Sequence, residues 1–315
     1  MSFLRVLLLF FIFGKVTAAE YTIVYVHIGE RLPSYLNDSI EQARLFNPDC
    51  PIVLIANEIA VKNFFSDSHV SIITCESLTV TSEHQMFQKR TKLNQTVMDG
   101  FWRYTSERFL YLYDWMATNE IENVFHLEND VMLYVNLEEL LPVFQKFYPG
   151  IAATFENDSK CIPGFVYVGN NTAMQKLAHC FAKYATKALT DMKLLAVFRK
   201  EQKKDVIDCL PLIMESYVME KGSSRKLPFC NHVNEFHSLF DGAAIGVHLD
   251  GMDPCKGPFP VGYKMKSLFD PSLLTYEWID DEAGRRIPYA TYGTETYRIN
   301  NLHIASKRLH LFNSL

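Results

Sequence analysis

The sequence predicts an α/β fold with a mainly parallel central sheet, and two observations carry that expectation. Strand-like runs alternate with segments of helical apolar spacing, and two carboxylates, Glu128 and Asp130, stand directly after one of the strand-like runs. Alternating strands and helices build a sheet covered by helices, and ligands of such sheets bind beyond the carboxyl ends of the strands.

The elements follow in chain order. "YTIVYVHIG" (21–29) is β-branched and aromatic, and Pro33 and Ser34 then open a segment with Leu36, Ile40 and Ala43 at helical spacing. "PIVLIAN" (51–57) supplies a second buried strand and completes a βαβ unit. From Gly100 to Asn119 the positions Trp102, Phe109, Leu112 and Met116 fall on one helical face, and "NVFHL" (123–127) is again a short buried strand. Asn136, with Glu139 three residues on, resembles a capping box for a helix carrying Leu137, Leu140, Leu141 and Phe144.

Beyond that helix, "GIAATF" (150–155) and "GFVYVGN" (164–170) are strand-like. A helix from Thr172 carries Met174, Leu177, Phe181 and Tyr184. A second helix is expected from about Asp205 to Lys221, ended by Gly222. In "EFHSLFDGAAIGVHLDGMDP" (235–254) the small residues Gly242, Ala243, Ala244 and Gly246 permit a ligand or another backbone to approach closely. Asp241 in that stretch is a candidate for ligand binding or general base, against a purely structural Asp-Gly turn. "YEWIDDEAGRRIPYA" (276–290) reads as a hairpin turning near Glu282 to Gly284, in a tail that folds back on a single domain.

With 315 residues, 48% hydrophobic and 21% charged, the chain can bury one large core. A net charge of -5 gives no global basic field and argues against nucleic acid as a partner. Arg5, the apolar run Val6 to Phe13 and the small residues Thr17, Ala18 and Ala19 have the pattern of a signal peptide over residues 1–19, cut before Glu20. An uncleaved anchor is the alternative, although the run is shorter than the roughly 20 residues of a membrane span. Four sequons, at Asn37, Asn94, Asn157 and Asn170, agree with passage through the secretory pathway, in the Golgi or ER lumen or outside the cell. Seven cysteines without CxxC spacing leave room for one to three disulfides and at least one free thiol.

The carboxylate pair is the feature to explain, because an ionised carboxylate next to an apolar run is costly unless paired, ligated or solvated. Two hard oxygen donors at a strand end suit a divalent cation such as Mn2+ or Mg2+. A plain polar turn is the alternative. The N-terminal βαβ unit, a helix containing Arg108, a strand, "ENDVMLY" and the late histidine of "NLHIASK" together resemble nucleotide-sugar glycosyltransferases of the type A fold, over most of residues 21 to 312. The signature of that family is a DxD motif, often degenerate; here its first acidic residue is Glu128.

The resemblance implies a single Rossmann-like nucleotide-diphospho-sugar transferase domain over residues 20–315. Its donor would be a nucleoside diphosphate sugar, a UDP-sugar first among them, and its acceptor a hydroxyl on a glycan, glycoprotein or other molecule. Asp130 would ligate the metal on the donor diphosphate, and His303 would complete the shell. Glu128 would reach the metal through water or contact the donor ribose or sugar. Arg108, Ser306 and Lys307 would lie against the donor. Ordinary surface roles remain open for Arg108 and Lys307, and a structural role for His303. Two other classes stay beside the transferase: a catalytically silent sugar-binding protein of the same fold, and a metal-dependent hydrolase, which the absence of an HExxH motif disfavours.

Overall fold

The computed structural model describes residues 20–62, 64, 69–94, 100–221, 224–250, 252–253, 257–258 and 269–315. The expected signal peptide and Gly222 lie outside them. The first half contains β1 (Thr22–His27), α1 (Leu36–Phe46), β2 (Ile52–Ala56), α2 (Glu58–Val61), β3 (Val70–Thr74), α3 (Ser82–Arg90), α4 (Phe101–Asn119), β4 (Val124–Leu127), β5 (Val131–Leu133) and α5 (Leu137–Phe147). There follow β6 (Ile151–Asn157), β7 (Lys160–Val168), α6 (Asn171–Tyr184), α7 (Asp191–Glu201), β8 (Ile207–Cys209), α8 (Glu215–Glu220), α9 (Val233–Phe236), β9 (Ser238–Leu239) and α10 (Ala244–Asp250). The last part holds β10 (Met252–Asp253), β11 (Gly257–Pro258), β12 (Thr275–Asp280), β13 (Arg286–Tyr292), β14 (Glu295–Ile299) and β15 (Asn301–His303).

The chain has the expected mixed α/β fold. Seven strands form the central sheet in the order β3-β2-β1-β4-β7-β6-β8, with β7 alone reversed. Residues 158 and 159 between β6 and β7 are far too few for a parallel crossover, so this pair forms an antiparallel hairpin. β2 and β4 are buried at every position and β1 at all but its last, the mark of strands covered on both faces. On one face α1 and α5 pack around Phe144, which is 0% exposed and ringed by Phe125, Phe165, Tyr167, Phe236 and Phe240. On the other face α4, α6 and α7 contribute Phe109, Phe181, Leu194 and Phe198.

Several expectations need correction. The helix from about Asp205 to Lys221 is instead strand β8, an irregular stretch and the short α8. Pro211 explains the break, since the residue before proline is driven away from helical geometry, and Leu210 N donates to Ala153 O in extended form. The capping box is half formed: the Asn136 side chain accepts from Glu138 N, and Glu139 contributes its backbone N–H to Asn136 O. The six described cysteines are buried free thiols, so the expected disulfides are absent among the described residues. Each occupies its own place in the core, and the thiols of Cys50, Cys161, Cys209 and Cys230 donate to nearby carbonyls.

The 276–290 hairpin is present as β12 and β13, and it joins β14 and β9 in a four-stranded sheet. The tail folds back as expected. Its last link is Ser314, which accepts from Gln42 Nε2 through Oγ at 2.7 Å and donates its backbone N–H to Gln42 Oε1.

A buried charge cluster fastens α3 to α4. His84, with 0% exposure, places Nδ1 2.5 Å from Asp114 Oδ2 and Nε2 3.1 Å from Glu107 Oε1. Burial pulls the imidazolium down, but Asp114 and Glu107 outweigh it and hold His84 above its ordinary value. A histidine raised in the folded state adds stability that is complete below the unfolded pKa near 6.5 and lost as pH rises through the folded value. His84→Gln should therefore cost about 3 kcal/mol at pH 6 and progressively less as the pH rises through the folded-state value. Denaturant midpoints of both proteins across that range test this, and a pH-independent difference would contradict it.

Candidate active site

Glu128 and Asp130 sit in the turn that leaves β4. The turn is fixed by backbone bonds: Glu128 N donates to Gly164 O at 2.9 Å, and Val131 N to Glu128 O at 3.1 Å. β5 follows and pairs antiparallel with β15, setting His303 opposite Val131, while Ile304 N donates to Asp130 O. The C-terminal segment thus crosses the end of the sheet and delivers His303 to residues 173 positions earlier.

His303 Nε2 lies 3.2 Å from Asp130 Oδ2 and 3.3 Å from Glu128 Oε2. One ligand atom from each of the three residues lies within 4.8 Å of the others. The other ring nitrogen, Nδ1, is 2.9 Å from Gly242 O, so it carries a proton and leaves Nε2 as the atom turned to the carboxylates. Burial alone would lower the imidazolium, but Asp130, with Glu128 behind it, outweighs burial and holds His303 up to about 9. Burial would likewise raise Asp130, yet Lys307 and His303 keep it far below the usual carboxylate range.

Lys307 and Arg108 complete the cluster from opposite sides. Lys307 Nζ pairs with Asp130 Oδ2 and stands 5.6 Å from the centroid of the Tyr35 ring. Arg108 is not a solvated helix-face residue: it is buried, with Nη1 paired to Glu128 Oε1 and Nη2 3.1 Å from Asp191 Oδ2. It engages Glu128 directly. Asp191, at the start of α7, was not singled out in the sequence, because no motif surrounds it and only the tertiary contact marks it. Its burial pushes the carboxyl up to about 6, against the pull of Arg108.

Two expected site residues have other work. Asp241 is 1% exposed, and its carboxylate accepts backbone N–H groups from Ile245, Gly246 and His303 at 3.0, 2.9 and 3.1 Å. It caps α10 and anchors β15 through these backbone bonds. Ser306 Oγ accepts from Arg308 N at 3.1 Å and does not join the cluster. The small residues of 242–246 do permit a close approach, and the partner is backbone: a Cβ on Gly246 would stand 2.1 Å from His303 O. Gly164 plays the same part for the ring, since a Cβ there would meet His303 Nδ1 at 2.8 Å.

No family model and no curated protein matches the sequence. Among solved structures the chain is similar to mouse xyloside xylosyltransferase 1 in its apo form, at 12% identity over 67% of this chain and 93% of that one, TM-score 0.45. It is similar to an active-site mutant of LgtC at 14% identity, over 65% and 79% of the two chains, TM-score 0.42. The glycosyltransferase GlyE of Streptococcus pneumoniae is similar at 13% identity over 61% and 45%, TM-score 0.36.

Gly246→Ala tests the close approach. The added methyl must push β15 away from α10, so the variant should lose about 2 kcal/mol or more of stability. An unchanged melting temperature would contradict the packing described.

Proposed function

We propose that the protein is a metal-dependent glycosyltransferase. It moves a sugar from a nucleoside diphosphate sugar, a UDP-sugar first among the candidates, to a hydroxyl on a glycan, glycoprotein or other acceptor. The observation that carries this reading is the convergence of Glu128, Asp130 and His303 at the C-terminal end of β4, with Lys307 beside them. Two carboxylates and an imidazole with a fixed tautomer fit Mn2+ or Mg2+ in donor chemistry and reach. Asp130 and His303 would hold the ion, and Glu128, engaged by Arg108, would reach it through water or face the donor sugar. An ion held by these residues would supply Lewis-acid neutralisation of the charge that develops on a diphosphate leaving group.

The chain's own residues supply the rest of the donor site. Lys307 carries a point charge on a flexible stem suited to a diphosphate oxygen. Arg108, pinned by Asp191, fixes the direction of Glu128. His27, at the end of β1, and Asn129, just beyond β4, contact each other at 3.0 Å, while Asn129 Oδ1 is buried without a hydrogen-bond partner among the described residues. Buried polar atoms left open beside a ligand mouth are groups that a nucleoside could complete.

A secretory location belongs to the same reading, on the N-terminal apolar run and the sequons. No helix of the described residues is long and apolar enough to cross a membrane. Of two sequons in turns, Asn157 accepts from Ser159 in the β6–β7 turn, whereas Asn170 caps α6 and donates Nδ2 to Pro149 O at 2.6 Å. Glycosylation in a eukaryotic host should therefore favour Asn157 over Asn170, which peptide mapping reads directly. Occupancy at Asn170 alone would oppose it.

The function is tested by a panel of nucleotide sugars with Mn2+, scored for nucleotide release with and without hydroxyl acceptors. Asp130→Asn should lower turnover by more than about 100-fold in a folded protein, and Glu128→Gln by less, since losing even an indirect metal contact costs 10- to 100-fold. Release that ignores every acceptor would point to the hydrolase. A chain that binds sugar but releases nothing would be the silent sugar-binding protein.

A further inference from the structure

We infer that Lys307 is the resident counter-ion of the metal site, and that a divalent ion and a diphosphate bind cooperatively because the diphosphate draws Lys307 off Asp130. The inference rests on the metal reading above and adds a role that the reading does not require.

The observations concern one oxygen. Asp130 Oδ2 receives both Lys307 Nζ and His303 Nε2, so the carboxylate atom turned toward the other two ligand residues is already engaged by a cation. Two permanently charged side chains, Arg108 and Lys307, face the carboxylates Glu128, Asp130 and Asp191, and Lys307 sits on the Asp130 oxygen that His303 Nε2 also approaches. A divalent ion that takes Asp130 Oδ2 has to replace the ammonium already paired with that oxygen, and two cations side by side in a buried site are expensive. One of these two cations has to give way. Arg108 is held on two sides by Glu128 and Asp191, and His303 is fixed by Gly242 O, Asp241 and the β5 ladder.

Lys307 is the one free to move. Its side chain is 35% exposed, against 8% for Arg108 and 12% for His303. Its backbone stays anchored, with Lys307 N donating to Ile304 O at 3.0 Å, so only the flexible stem has to swing. A diphosphate offers the ammonium an alternative anionic partner at the same mouth. Each ligand then removes an obstacle to the other, and by linkage the coupling is reciprocal.

Mn2+ binding to the full chain, followed by the EPR signal of free Mn2+, tests this without turnover. Lys307 has φ +68, a conformation in which asparagine is tolerated, so Lys307→Asn removes the charge without new backbone strain. Lys307→Arg keeps the charge. With no other ligand, Lys307→Asn should bind Mn2+ about tenfold more tightly than the parent, and Lys307→Arg no more tightly, in line with couplings of 5- to 150-fold. Methylenediphosphonate, corrected for the Mn2+ it holds in buffer, should tighten Mn2+ binding in the parent about tenfold and distinctly less in Lys307→Asn. Equal Mn2+ affinity in the parent and Lys307→Asn, with both folded by circular dichroism, overturns the role of Lys307 and leaves the metal site standing. Failure of all three proteins to bind Mn2+, with or without the diphosphonate, removes the metal reading itself and the inference with it.

Discussion

The antiparallel pairing of β15 with β5 brings His303 against Asp130 across 173 positions of chain, and the arrangement of the site depends on it. Three residues per strand are too few to hold such a pairing by themselves. The surroundings hold it. Asp241 accepts from His303 N, Asn301 Nδ2 donates to Asp241 O at 2.8 Å, and α10 lies so close to His303 that position 246 has no room for a Cβ. Further along, Tyr134 Oη donates to Phe312 O, and Ser314 closes on Gln42. The end of the chain is therefore part of the domain's frame and positions the site from outside the central sheet.

The second constraint is electrostatic. Asp191, Arg108, Glu128, His303, Asp130 and Lys307 form a line of alternating negative and positive groups, each paired with its neighbours. Such a line answers the cost of placing carboxylates against an apolar strand, since buried charges persist only when paired or ligated. It also ties stability to function. Removing an interior member leaves two neighbours short of a partner, so a loss of activity in such a variant has to be read beside a measurement of folding.

Much of the frame was legible because it rests on local pattern. β1, β2 and β4, helices α1, α4 and α6, and the 276–290 hairpin follow from β-branched runs, helical spacing and turn residues. β8 replaces the expected helix because an apolar run serves a short buried strand as well as a helix, and Pro211 marks the break. β5 and β15, with three residues each, carry no pattern of their own. At the site, Glu128, Asp130 and His303 were named from the sequence, whereas the burial of Arg108 and the presence of Asp191 arise from tertiary contacts alone. Asp241 was singled out with its small neighbours, but its carboxylate meets backbone amides, a partner type that side-chain chemistry in a sequence does not disclose.

The central claim is that the Glu128, Asp130 and His303 cluster holds a divalent ion that a nucleoside diphosphate shares. The most direct measurement is an anomalous difference map, recorded above the manganese absorption edge, from crystals grown with Mn2+ and UDP. The account predicts one Mn2+ peak within bonding distance of an Asp130 carboxylate oxygen and His303 Nε2, bridged to diphosphate oxygens. UDP bound elsewhere, or bound at β4 with no manganese between it and Asp130, would contradict it.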